Sequence, residues 1–223
     1  MDIFDRLYRD SRDQIISGTN RFEPPLVDGS TRWGVAVTLR PSPDVRQVLA
    51  AATDEALGLI GGIHWPTGHD GSVHLTVRAL DPYRDRPDPE ALHRYRRALR
   101  AAAGRAKPAT FTAAGLTLAG GSVMCRIEPQ DTAADDFAAR LAAELGDDAA
   151  FEADYDRDMW YANLVHFAEP VRNGAALDEW VAERHHLNLG IWTSADVHLT
   201  QWRFNGRQAV PEQLETARLG CGT

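Results

Sequence analysis

The chain has 223 residues, 43% of them hydrophobic, a formal net charge of -8 and a pI of about 5.4. That length and apolar content allow one substantial core, arranged as one large domain or two small lobes. The acidic balance argues against a grip on long nucleic acid, which needs clustered Lys and Arg, and no apolar run approaches the ~20 residues that span a bilayer.

The N-terminus, Met1-Asp-Ile-Phe-Asp-Arg, lacks the basic flank and apolar stretch of a signal peptide, so a cytoplasmic location is expected. Cys125 and Cys221 lie far apart, and reduced thiols are expected instead of a disulfide framework. Lys107 is the single lysine beside many arginines, a bias we assign to genome composition.

Asp2 can cap a first helix with Ile3, Phe4, Leu7, Ile15 and Ile16 on its buried side, ending near Gly18. Residues 1–31 are expected to be this appended helix and a Pro- and Gly-containing connector, leaving 32–223 as the main domain. Residues 33–39 read as a strand stopped by Pro41, and Ser42-Pro43 opens a helix to about Leu59. Strand 73–80 follows, then a helix over 87–105 and a hairpin of 109–118 with 122–127 about Gly120-Gly121. Further on come a helix over 132–145, an acidic stretch over 146–158, a strand over 160–167, a helix over 175–186 and strands over 189–192 and 197–204.

The order repeats. Trp33, a β-rich run, Pro41, a helix and Val-His-Leu-Thr at 73–76 are matched by Trp160, a β-rich run, Pro170, a helix and Val-His-Leu-Thr at 197–200. We read an internal duplication: an α+β, bilobal fold, two antiparallel or mixed sheets forming a central cleft, helices outside, and one motif strand in each lobe.

A lone His-x-Thr is weak evidence, with about 0.5 chance matches expected for this composition. Two copies of the longer tetrapeptide at equivalent places are not explained by composition. Side chains at i and i+2 of a strand share a face, so His74 projects with Thr76 and His198 with Thr200. One imidazole can then act neutral as base and the other protonated as acid, with the hydroxyls donating to phosphoryl oxygens. Such chemistry needs no metal or cofactor. Continuing the alternation puts Arg78 and Trp202 on the same face, where a guanidinium could meet phosphate and an indole could stack on a base.

This pair of motifs resembles the 2H phosphoesterase superfamily, which includes 2'-5' RNA ligase-like proteins and cyclic phosphodiesterases. The resemblance covers residues 33–204. It implies two sheets lining a cleft and metal-free hydrolysis of 2',3'-cyclic phosphates or 2'-5' linkages, with His74 and His198 as catalysts and Thr76 and Thr200 binding phosphate. The chain departs from the family in its N-terminal helix, its acidic stretch and the offset of 124 residues from His74 to His198.

Other sites fare worse. His64, His69 and His74 match no usual zinc spacing. Asp154, Asp156 and Asp158 lack the glycine and glutamate of a calcium loop. Gly120-Gly121 suits a turn better than a phosphate cradle, and Cys125 has no neighbouring histidine. Two classes remain: a phosphoesterase acting on a small nucleotide or short oligonucleotide, expected to be a monomer, and, as the alternative, a module that holds a nucleotide or RNA end in the same cleft without turnover, or a metabolic enzyme on the same fold.

Overall fold

The computed structural model describes residues 2–155 and 157–220. Asp156 of the acidic stretch and Cys221 lie outside them. In chain order the elements are α1 (Ile3–Ile16), β1 (Val35–Leu39), α2 (Pro43–Ile60), β2 (Trp65–Pro66), β3 (Leu75–Asp81), α3 (Pro89–Gly104), β4 (Ala109–Ala119), β5 (Ser122–Pro129), α4 (Ala133–Leu145), a 3-10 helix (Gly146–Glu152), β6 (Trp160–His166), α5 (Gly174–Arg184), β7 (Gly190–Ser194), β8 (Asp196–Phe204) and β9 (Ala209–Arg218). The strands form a four-stranded sheet, β3-β1-β8-β9, and a five-stranded sheet, β2-β6-β5-β4-β7. Each pairing is antiparallel. The expected α+β, two-sheet architecture is therefore present.

The placement of the motifs differs from the duplication reading. Both motif strands, β3 and β8, lie in the four-stranded sheet, one on each side of β1. The strand that occupies the second lobe is β6, and it carries no His-x-Thr. The similar order of Trp, strand, Pro and helix in the two halves thus does not put one motif in each sheet. The last strand, β9, was not legible: Pro211 and alternating charges give it no strand signature.

One face of the four-stranded sheet is core. Val37, Leu39, Leu75, Val197 and Leu199 are fully buried there, and because side chains alternate, this fixes their neighbours on the opposite face. Helix α3 packs on β8 and β9, whereas α2 packs on β6, β7 and α5. Helix α1 is less of an appendage than its sequence suggests. Its cap, Asp2 Oδ1, accepts from the Phe4 amide at 3.2 Å, Tyr8 and Arg12 both bond the carboxylate of Asp178 on α5 at 2.6 and 2.7 Å, and Asp2 pairs with the buried Arg126 of β5.

Between α1 and β1 the connector crosses the five-stranded sheet, held by backbone bonds from Arg21 to Gly120 and from Glu23 to Phe167, each 2.7 Å. It delivers Trp33, whose φ of +66° is a left-handed conformation unusual for a bulky residue, to the space between the sheets. Gly34 makes this entry possible, since a Cβ there would stand 1.9 Å from the Asp81 carbonyl oxygen. Gly34→Ala is accordingly expected to cost about 1–3 kcal/mol through overpacking, read as a lower midpoint in urea unfolding; an unchanged midpoint would show that β1 and β3 can part freely.

Candidate active site

The register of β1 arranges the site. Thr38 pairs with Thr76 on one side and with His198 on the other, so three polar side chains form a row across the sheet. One strand-step away, Ala36 pairs with Thr200, and the Thr200 and Thr38 hydroxyls are 2.9 Å apart. His74 immediately precedes β3, at the sheet's end.

Two cavities open on this face. A small one of about 60 Å³ is lined by both His74 and His198, with Arg40, Thr38, Thr200 and Gln213. A single water needs about 10–15 Å³ of such space, so the pocket has room for a few water-sized groups, the scale of a phosphoryl group and not of a nucleoside. The second, of about 570 Å³, lies between the sheets, with His74 and Thr76 on one wall and Tyr161, Asn163 and His166 of β6 on the other. It is within the usual size range of small-molecule clefts. His74 and Trp202 line both cavities, their ring centroids 4.6 Å apart.

The sequence-derived residues thus divide. His74, His198 and Thr200 meet in the small pocket, while Thr76 faces the larger cleft. Trp202 keeps the expected face but is only 3% exposed, its ring set edge-on to Trp33; it is a wall of the site with little free surface for stacking. Arg78 is not among the residues lining either cavity. Thr38 pairs with Thr76 but Val37 with Arg78, so Val77 is an extra, bulged residue and the alternation slips by one. Arg78 therefore follows Val37 and donates to the Ala149 carbonyl of the 3-10 helix at 2.7 Å. Ala79 takes its place in the cleft.

Two imidazoles here are held in defined ways. His74 Nδ1 donates to the Ser72 carbonyl at 2.8 Å, which leaves Nε2 with its lone pair. Burial pushes His74 down to about 4, against the opposing Ser72 bond and with help from the nearby His166, Arg40 and Arg157. His198 Nδ1 sits 3.0 Å from the Thr216 hydroxyl, which also accepts from Gln213 at 2.7 Å, so β9 positions it. Burial lowers His198 as well, with Arg40 and Arg46 adding to the effect and Asp196 opposing it. Both shifts favour the neutral imidazole in the free chain. Negative charge from a phosphoryl group is what would restore a proton to one of them.

His166 was missed. It lies on β6, where Val123 pairs with Val165 but Met124 with Asn163, so Leu164 is bulged and His166 joins Tyr161 and Asn163 on the cleft side. Simple alternation assigns it to the core. Its Nδ1 is 3.4 Å from Glu23 Oε1, and Glu23 also accepts from Trp33 Nε1 at 3.3 Å and pairs with Arg32. Burial would raise the Glu23 carboxyl, but His166, Arg32 and Trp33 hold it below the usual range; burial lowers His166. The pair is thus an ionised carboxylate beside a neutral imidazole. Cys125 is buried and its thiol is pushed up to about 12 by desolvation, which removes it as a nucleophile. Among the described residues, Asp5, His185 and His186 form the one cluster with metal-ligand geometry, far from this cleft in the fold and already bonded to Leu116 and Arg126.

The His74 shift has a stability consequence. An unfolded chain's imidazole takes up its proton near 6.5, whereas folded His74 resists until about 4, so its contribution is fully present above the unfolded value and is lost as pH falls from there toward 4. Urea unfolding at neutral pH and near pH 5 should show a steeper loss for wild type than for His74→Gln; equal losses would mean that His74 is not desolvated.

No protein-family model matches the chain, and no curated protein matches it significantly by sequence. Solved structures do resemble it. TT0787 of Thermus thermophilus superposes with a TM-score of 0.63 at 18% identity, over 84% of this chain and 98% of that one. A structure described as a phosphoesterase gives 0.56 at 14%, over 84% and 98%, and E. coli LigT complexed with phosphate gives 0.53 at 14%, over 84% and 97%. At such identities the likeness is one of fold, and the chain has the fold of these structures.

Proposed function

We propose that the chain is a phosphoesterase that hydrolyses a 2',3'-cyclic phosphate or a 2'-5' phosphodiester of a nucleotide or short oligonucleotide. The observation that carries this reading is the phosphoryl-sized pocket lined by His74, His198 and Arg40, opening beside a nucleotide-sized cleft. It is supported by the E. coli LigT structures of the same fold, which are described as complexes with phosphate, ATP and 3'-AMP.

In this reading the phosphoryl group occupies the small pocket, where Arg40 offsets its charge and the Thr200 hydroxyl donates to its oxygens as charge develops, while Thr76, on the wall of the larger cleft, meets the part of the ester that extends there. His74, with its Nδ1 proton committed to Ser72, uses Nε2 to take a proton from water. The water oxygen bonds to phosphorus while the bond from phosphorus to the ribose oxygen breaks. His198, protonated once phosphate is bound, gives its proton to that departing oxygen. No step is assigned to a metal, and one chain supplies every group, so a monomer in the cytoplasm completes the reading.

The test is turnover of 2',3'-cyclic mononucleotides, ADP-ribose cyclic phosphate, 2'-5' oligoadenylate and its 3'-5' counterpart, with EDTA present. We expect cleavage of at least one, lowered by a factor of about 100 or more in both His74→Ala and His198→Ala. Binding without turnover would instead support a nucleotide-binding module, and activity surviving both substitutions would overturn the site. In gel filtration the chain should elute near its 24.6 kDa mass; elution at twice that mass would contradict the monomer.

A further inference from the structure

Buried polar atoms ordinarily have partners, so a cluster without them asks for a ligand. Eight buried side-chain atoms among the described residues have none, and three of them, Arg157 Nε, Asn163 Oδ1 and His166 Nε2, belong to residues lining the 570 Å³ cleft. Asn163 and His166 are successive cleft-facing residues of β6, because the bulge at Leu164 brings the second onto the face of the first. His166 is 2% exposed, and with its Nδ1 turned to the Glu23 carboxylate its Nε2 presents a lone pair. Asn163 Oδ1 presents another. Two unpartnered acceptors on one wall call for N–H donors.

The same cleft is walled by Trp33, Tyr155 and Tyr161, surfaces on which a planar heterocycle can stack. An exocyclic amine carries two N–H donors, whereas a carbonyl at the same ring position carries none. Resting on the nucleotide reading above, we propose that the β6 wall selects an amino-bearing nucleobase, with Asn163 Oδ1 and His166 Nε2 accepting from its exocyclic amine while the phosphoryl group lies with His74 and His198. Uracil and hypoxanthine, which bear a carbonyl at that position, have one ring N–H beside it and so can satisfy at most one of the two acceptors, leaving the other buried against a carbonyl oxygen, a loss that stacking, common to all bases, does not offset.

The experiment is calorimetric binding of adenosine 3'-monophosphate and inosine 3'-monophosphate to wild type, Asn163→Ala and Asn163→Asp. Wild type should bind the adenosine nucleotide about tenfold or more tightly than the inosine one. Asn163→Ala, with His166 left as the one acceptor, should lower the ratio by about threefold or more, and Asn163→Asp, which keeps an acceptor, should retain a preference; matching thermal unfolding of the three proteins verifies their folds. Equal wild-type affinities, a preference undiminished in Asn163→Ala, or no binding of either nucleotide would overturn the proposal. Preference without turnover of any cyclic or 2'-5' substrate would sink the hydrolase and leave base selection standing, and turnover blind to the amine would do the reverse.

Discussion

Strand β1 is hydrogen-bonded along both edges, to β3 on one side and β8 on the other, and the position of every group in the small pocket follows from that double ladder. A slip of one residue in either pairing would turn Thr38, Thr76 and His198 into the core and bring Leu39, Leu75 and Val197 out. The fully buried state of those three aliphatic residues therefore secures the polar row opposite them. The hydrophobic core is in this sense what orients the imidazoles, with Ser72 and Thr216 trimming each ring.

The electrostatics build on this frame. An acidic chain would repel a phosphate ester, yet the groups around the two imidazoles include Arg40, Arg46 and Arg157, while the Glu23 carboxylate that faces the same region is matched by Arg32. Desolvation keeps His74 and His198 neutral until an anion arrives. A pocket of this kind draws its positive charge from arginine when empty and, in the mechanism proposed above, gains a proton when filled, which would couple binding to readiness for acid–base chemistry. The left-handed Trp33, pinned by Glu23 and packed on Trp202 and His166, joins the two walls of the cleft into one unit.

Much of this was legible in the chain. The cap at Asp2, the Pro41 stop and the Gly120-Gly121 turn are local signals, and local signals place elements well. The pairing of His74 with Thr76 and of His198 with Thr200 also followed from period two. What period two cannot see is a bulge. Val77 turns Arg78 away from the cleft, and Leu164 turns His166 into it, because each extra residue reverses the faces beyond it. Nor does a repeated tetrapeptide say which sheet a strand joins. That depends on long-range pairing of β8 with β1 and with β9, a strand whose charged, Pro-containing sequence gave no warning. The acceptor pair of Asn163 and His166 was invisible for both reasons at once.

The central claim is that His74 and His198, on strands separated by β1, serve one phosphoryl group. It is tested most directly by following the ring nitrogens of both residues by nitrogen-15 NMR while inorganic phosphate is titrated into the protein. The account predicts that Nε2 of both rings shifts along one binding curve and that at least one ring gains proton character. A response from only one of them, with the other unmoved at saturation, would contradict it.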